Sequence, residues 1–134
     1  MKEKTRDEPA LPCGDIGETV ARYLLALLDL DRSEERTTQV ALARAVGVSA
    51  PSALEMVRRL RQRGLVAEGS LSLTPRGTST ALVLASRRDA ARRWTHEVLG
   101  LDEAEARAEA EHLALNGSPA LGRKLTAWRR SADG

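Results

Sequence analysis

The chain has 134 residues, a formal net charge of +2, 42% hydrophobic residues, 2% aromatics and a single cysteine, Cys13. Those figures exclude an internal disulfide and a CxxC zinc motif, and they leave room for one modest core of Leu, Val and Ala, which favours helices. No apolar run approaches the ~20 residues of a membrane helix and the N-terminus has no signal-peptide core, so a cytoplasmic protein with no membrane partner is expected.

Residues 1–14 mix charges with Pro9 and Pro12 and are expected to be a mobile tail. A first helix is predicted from Asp15 to about Leu30, where Ile16, Val20, Tyr23, Leu24 and Leu27 recur at helical spacing. A charged loop, 31–36, leads to a short helix over Val40–Val46. Gly47-Val48-Ser49 makes a turn, and a longer helix is predicted from Pro51 to about Arg63. Ser49 suits the N-cap, Pro51 the first turn, and Gly64 the left-handed position beyond the C-terminus. Ala53, Met56, Val57 and Leu60 fall on its core face. Two short alternating strands follow, 65–67 and 71–74, around a Gly69 turn.

Support helix, turn, recognition helix and hairpin wing in that order make a winged helix-turn-helix. Its exposed residues then fall into two groups. Ser49, Pro51, Ser52 and Glu55 lie toward the start of the recognition helix, and Arg58, Arg59, Arg63 and Arg76 suit phosphate contacts. From Ala50 to Arg93 there are nine arginines and three acids, a local excess of +6 that the whole-chain charge conceals.

Thr74-Pro75-Arg76-Gly77 is expected to close the wing. A long helix follows from Thr78 to about Leu99, apolar at first and then cationic at Arg87, Arg88, Arg92 and Arg93. An acidic helix is predicted over Asp102 to Leu115. Asn116-Gly117-Ser118-Pro119 breaks it, and a last helix runs from Ala120 to about Arg130. The expected class is therefore mainly α, divided into a tail (1–14), a winged helix-turn-helix for DNA (15–77) and a helical dimerisation region (78–130). Leu99, Leu101, Leu113, Leu121, Leu125 and Trp128 lie outside the winged helix and need burial, which points to a homodimer, because one recognition helix reads too few base pairs for tight specific binding. No phosphate-cradling glycine loop, Ser-His-Asp order or paired carboxylates in a cleft is present, so an enzyme is not expected.

Tyr23-Leu24, Val48-Ser49-Ala50-Pro51-Ser52, Met56-Val57-Arg58-Arg59-Leu60, Gly64-Leu65-Val66, Leu73-Thr74-Pro75-Arg76-Gly77, residues 97–102 and Glu111-His112-Leu113 together resemble the diphtheria toxin repressor family of iron- and manganese-responsive regulators. The likeness covers about residues 16–129, without the SH3-like domain that longer members carry. It implies a homodimer whose winged domain binds a double-stranded operator. The metal ligands depart from the family pattern. Arg22 stands at the ligand position of the first helix, Arg88 and Arg92 take the place of His-x-x-x-Glu on the long helix, Ala108 fills the first slot of the acidic helix, and Arg107 replaces a second histidine. A guanidinium only donates hydrogen bonds and carries a positive charge, so it cannot ligate a metal. Glu111 and His112 survive from the pattern, and His96, Cys13, Asp15 and Glu18 are the other residues left for a relocated divalent-metal site.

The expectation is a DNA-binding repressor of diphtheria-toxin-repressor type that works without a metal or other cofactor. In it Arg88, Arg92 and Arg107 pair with carboxylates such as Glu109 or Glu111, or receive an anionic effector. Two alternatives stand beside it: a metal- or small-molecule-responsive winged-helix regulator with its effector site in the dimerisation region, and a winged-helix module that binds a protein.

Overall fold

The structure is a computed structural model and describes residues 16–134. The expected tail, Cys13 and Asp15 lie outside the described residues. Six helices follow one another: α1 (Glu18–Arg32), α2 (Gln39–Val46), α3 (Ala50–Gln62), α4 (Pro75–Glu97), α5 (Glu103–Asn116) and α6 (Pro119–Asp133). The described residues divide into two compact units, one up to Leu82 and one from Val83 onward.

In the first unit, α1 buries Ala21, Tyr23, Leu24, Leu25, Leu27 and Leu28. Tyr23, Leu24 and Leu27 belong to the stripe that its sequence predicts, and Leu28 extends it at i, i+4 from Leu24. Thr38 caps α2 by accepting from the Ala41 N–H at 3.0 Å. Gly47, at φ 76°, ends α2 in the left-handed conformation that glycine adopts without a Cβ penalty. Three residues separate α2 from α3, and the two helix axes meet at 99°, within the range of a helix-turn-helix. Ala53, Val57 and Leu60 of α3 are buried, and Met56 is half-buried.

The wing differs from the two predicted strands. Its only ladder among the described residues is one antiparallel bridge, Val66 to Leu73, supported by Ala67 N–H to Ser72 O at 2.8 Å and Thr74 N–H to Leu65 O at 3.1 Å. Leu65 and Val66 are both buried. Consecutive buried residues break the alternation that a one-faced strand requires, so the segment enters the core as a loop and pairs only briefly.

The long helix starts at Pro75 rather than Thr78. Thr74 supplies its cap: its hydroxyl accepts from the Gly77 N–H at 3.0 Å and donates to Gly64 O at 2.7 Å. Pro75 then takes the first helical position, where a missing N–H costs nothing.

In the second unit, Ala90, Ala91, Ala110 and Leu125 form a small core with Trp94, Leu113 and Leu121 packed against it. Ala106, Ala110 and Ala114, spaced by four, give α5 a buried stripe of minimal bulk. Asp102 and Glu105 close a capping box at its start. Asn116, expected to break this helix, belongs to its last turn, and Ser118 caps α6. The last helix therefore runs from Pro119 to Asp133, longer at both ends than predicted. No single described helix is long and apolar enough to cross a membrane.

Candidate nucleic-acid interface

The exposed face of α3 is built from its start. Ser49 accepts from the Ser52 N–H at 3.2 Å and donates its own proton to the Ser52 hydroxyl at 3.0 Å. That arrangement leaves the Ser52 proton free to donate outward. Pro51 follows in the first turn, and Ser49, Pro51, Ser52, Glu55, Arg58 and Arg59 are all exposed. The free N–H groups and positive dipole end of α3 lie at this end, suited to an anion.

Glu55 is the one acid on α3. Its carboxylate accepts from Arg58 Nη1 at 2.6 Å and lies 3.9 Å from Arg59 Nε. All three side chains are more than half exposed, so the pairs are worth only a few tenths of a kcal/mol, about 0.2–0.5 for such a helical spacing, and break readily. Arg63 is exposed at the C-cap of α3. Arg76 is exposed in the first turn of α4, with a guanidinium nitrogen 3.6 Å from where a Cβ on Gly64 would stand. The structure thus brings Ser49, Pro51, Ser52, Glu55, Arg58 and Arg59 onto one helix face, and places Arg63 and Arg76 beside the root of the wing.

Arg61 was not among the residues that the sequence singled out. It is half-buried, donating from Nε to Ala67 O and from Nη2 to Ser70 O, both at 2.8 Å. The sequence offered only a faint sign, an arginine next to core residue Leu60 and six residues before the wing.

The second arginine group belongs to the second unit. Arg88 Nη1 stands 3.9 Å from Glu111. Arg92 pairs with Asp89 at 2.9 Å and reaches within 4.0 Å of Glu103. Arg107 is exposed on α5, outside these pairs. Asp89 also receives Arg129, at 3.2 Å, which donates in addition to the Ser86 hydroxyl at 2.9 Å. Burial alone would raise the Asp89 carboxyl, but hydrogen bonds and charge from Arg92 and Arg129 outweigh it and hold it below the ordinary range. Arg93 joins Glu97 and Asp133 at 3.3 and 2.8 Å and lies 5.9 Å over the Trp128 ring. Arg88, Arg92 and Arg93 of the cationic run are therefore each engaged with carboxylates of their own chain.

The residues that the resemblance sets at ligand positions are engaged with other groups. Arg22 is paired with Glu18 at 2.6 Å, and Arg88 and Arg92 hold the acids just described. Glu111 faces Arg88, and His112 Nδ1 lies 3.3 Å from the Asn116 amide. His96 Nδ1 lies 2.7 Å from Leu101 O. Among the described residues no three His, Cys, Asp or Glu gather in a group that could hold a metal ion.

Residues 15–69 match the family model described as "Iron dependent repressor, N-terminal DNA binding domain". Among solved structures the chain is similar to that of the manganese regulator SloR, with a TM-score of 0.69 and 24% identity over 83% of this chain and 53% of that one. The chain thus spans about half the length of that regulator. No curated protein sequence matches it.

Proposed function

We propose that the chain, whose residues 15–69 match the DNA-binding domain of iron-dependent repressors, is a sequence-specific DNA-binding transcriptional repressor of the diphtheria toxin repressor family whose binding does not require a divalent metal. One observation carries the DNA-binding part. A 99° turn presents Ser49, Pro51, Ser52, Glu55, Arg58 and Arg59 on a single exposed helix face, with a wing alongside. Such a face enters a major groove, with its helix start toward base edges and its arginines toward phosphates.

Metal independence is supported by the chemistry of the ligand positions. Arg22, Arg88 and Arg92 are fixed charges, each engaged with a carboxylate, and a guanidinium offers a metal no lone pair. In this proposal Arg88 and Arg92 tie α4 to α5 through Glu111 and Glu103 by guanidinium–carboxylate pairs. The test is selection of duplex DNA from a random pool with chelator present, followed by titration of the selected site. Affinity is expected to change by less than about twofold, ~0.4 kcal/mol, between chelator and added Mn(II) or Fe(II). A tenfold gain on adding either metal would restore metal control.

The proposed repressor is a homodimer. Leu113, Leu121 and Leu125, counted at first among residues awaiting a partner, pack within their own chain. Val98 and Leu99 remain exposed, at 52% and 56%, and are the apolar pair that a second copy would cover. Sedimentation at micromolar concentration is expected to give twice 14.5 kDa. A single 14.5 kDa species at high concentration rules the dimer out.

A further inference from the structure

We propose that Arg61 is a positioning residue for DNA binding: it sets the height of the wing above the recognition helix and makes no phosphate contact itself. This inference rests on the DNA-binding function proposed above.

The wing has little to hold it in place. One backbone bridge joins its arms at Val66 and Leu73, and a lone two-residue pairing is not stable in water without further support. Its tip runs Glu68-Gly69-Ser70, with Gly69 at φ 81° where a turn requires a positive φ. The chain at Ala67 and Ser70 therefore has two carbonyls flanking the tip and few structural partners for them.

Arg61 reaches both. Its Nε donates to Ala67 O and its Nη2 to Ser70 O, at 2.8 Å each. One planar fork thus grips the two sides of the turn and fixes it to the last turn of α3. Lysine cannot reproduce this grip, because an ammonium is a point donor on a flexible stem. With the grip in place, the exposed Ser70 and Ser72 hydroxyls, 2.6 Å apart, stand at a fixed distance from Arg58 and Arg59, as two contacts to one DNA backbone require.

Arg61 also differs in kind from its neighbours. Arg58 and Arg59 are more than half exposed and held only by Glu55, so they can turn to a phosphate at little cost. Arg61 is half-buried with two short hydrogen bonds to backbone oxygens. Moving it to a phosphate would give up both hydrogen bonds and release the tip from α3. Of the three arginines on this helix, two are ligands for DNA and one belongs to the frame.

Salt titration separates the two roles. Each phosphate contact contributes about 0.9 to the slope of log affinity against log salt. Arg58→Ala or Arg59→Ala should lower that slope by about 0.9. Arg61→Ala and Arg61→Lys should each weaken binding to the selected site roughly tenfold, ~1.4 kcal/mol, with the slope unchanged. Arg61→Lys keeps the charge and the apolar stem, and serves if Arg61→Ala fails to fold. Amide hydrogen exchange at Ala67 and Thr74, whose N–H groups make the backbone bonds of the wing, is measured on the same proteins without DNA and should be faster in Arg61→Lys than in wild type. A slope reduced by about 0.9 in Arg61→Ala, or full affinity in Arg61→Lys, makes Arg61 a phosphate ligand or a bystander and overturns the proposal. So does unchanged exchange at Ala67 and Thr74. If the wild-type chain binds no duplex DNA at low salt, the DNA-binding function fails, and the exchange comparison still decides whether Arg61 clamps the wing.

Discussion

Gly77→Ala is expected to cost roughly 3 kcal/mol of stability, the upper range for overpacking a closed site. Gly77 is buried in the first turn of α4. A Cβ built there would lie 2.1 Å from Leu65 O, 3.0 Å from Leu65 C and 3.2 Å from Leu73 Cδ2. The first two are backbone atoms, so no rotamer change relieves the clash. Leu65 cannot easily withdraw: it is fully buried, and its carbonyl accepts the Thr74 N–H. Either the start of α4 must lift from the wing root or the Leu65–Val66 segment must leave the core. For a domain of this size the loss corresponds to a fall in melting temperature on the order of 10 °C, read by circular dichroism. Gly64→Ala is the comparison. Gly64 has a positive φ of 76° and only the Arg76 side chain near its Cβ position, so it should lose only the smaller left-handed penalty, about 1–2 kcal/mol. Equal melting of Gly77→Ala and wild type would show that α4 does not start against the wing as described.

Gly77 also shows where the sequence was legible and where it was not. The turn and recognition helix were readable because their determinants are local: Ser49 caps, Pro51 starts, Gly47 and Gly64 punctuate, and Ala53, Val57 and Leu60 mark one face. Thr74-Pro75-Arg76-Gly77 carries equally local signals, a capping hydroxyl followed by proline at the first helical position. The same four residues also suit the close of the wing, which is why the helix is expected only from Thr78. Gly77 is there for close approach to Leu65, which only the tertiary structure shows. The wing strands are shorter than predicted for a related reason. Alternation was read in Leu71-Ser72-Leu73-Thr74, yet Leu65 and Val66 turn out to be consecutive core residues, and an arginine fork replaces most of the expected ladder.

The α4 arginines were legible as a cationic run and illegible as partners. Arg129 meets Asp89 across 40 residues, and Arg93 meets Asp133 across the same separation. No periodicity in a single helix encodes such pairs. For the same reason the sequence does not show that Leu125 is buried by its own chain, with Leu113 and Leu121 partly buried against the same core.

Glu55→Ala is expected to relax base preference at one position of the operator while leaving non-specific affinity the same or higher. An acid in the middle of the face proposed to meet a polyanion works against binding unless it is used for recognition. Its neighbours Arg58 and Arg59 offset the charge and hold the carboxylate in place, by contacts of 2.6 and 3.9 Å. When both arginines turn to phosphates, the carboxylate is released at the groove as an acceptor. The exposed major-groove donor that it suits is the amino group of cytosine. A good contact of this kind discriminates by about 1–3 kcal/mol, so Glu55→Ala should lower the preference at that base pair roughly tenfold or more. Removing the charge also frees Arg58 and Arg59, which is why non-specific affinity should not fall. Glu55→Gln makes a sharper test. Its amide both donates and accepts, the pattern that adenine matches through N6 and N7, so preference at the same position should move from cytosine toward adenine. If Glu55 serves only as an ion-pair partner for Arg58, both variants will select the same operator as wild type from a random pool. That outcome would remove Glu55 from the recognition surface and leave Ser49, Pro51 and Ser52 as its readers.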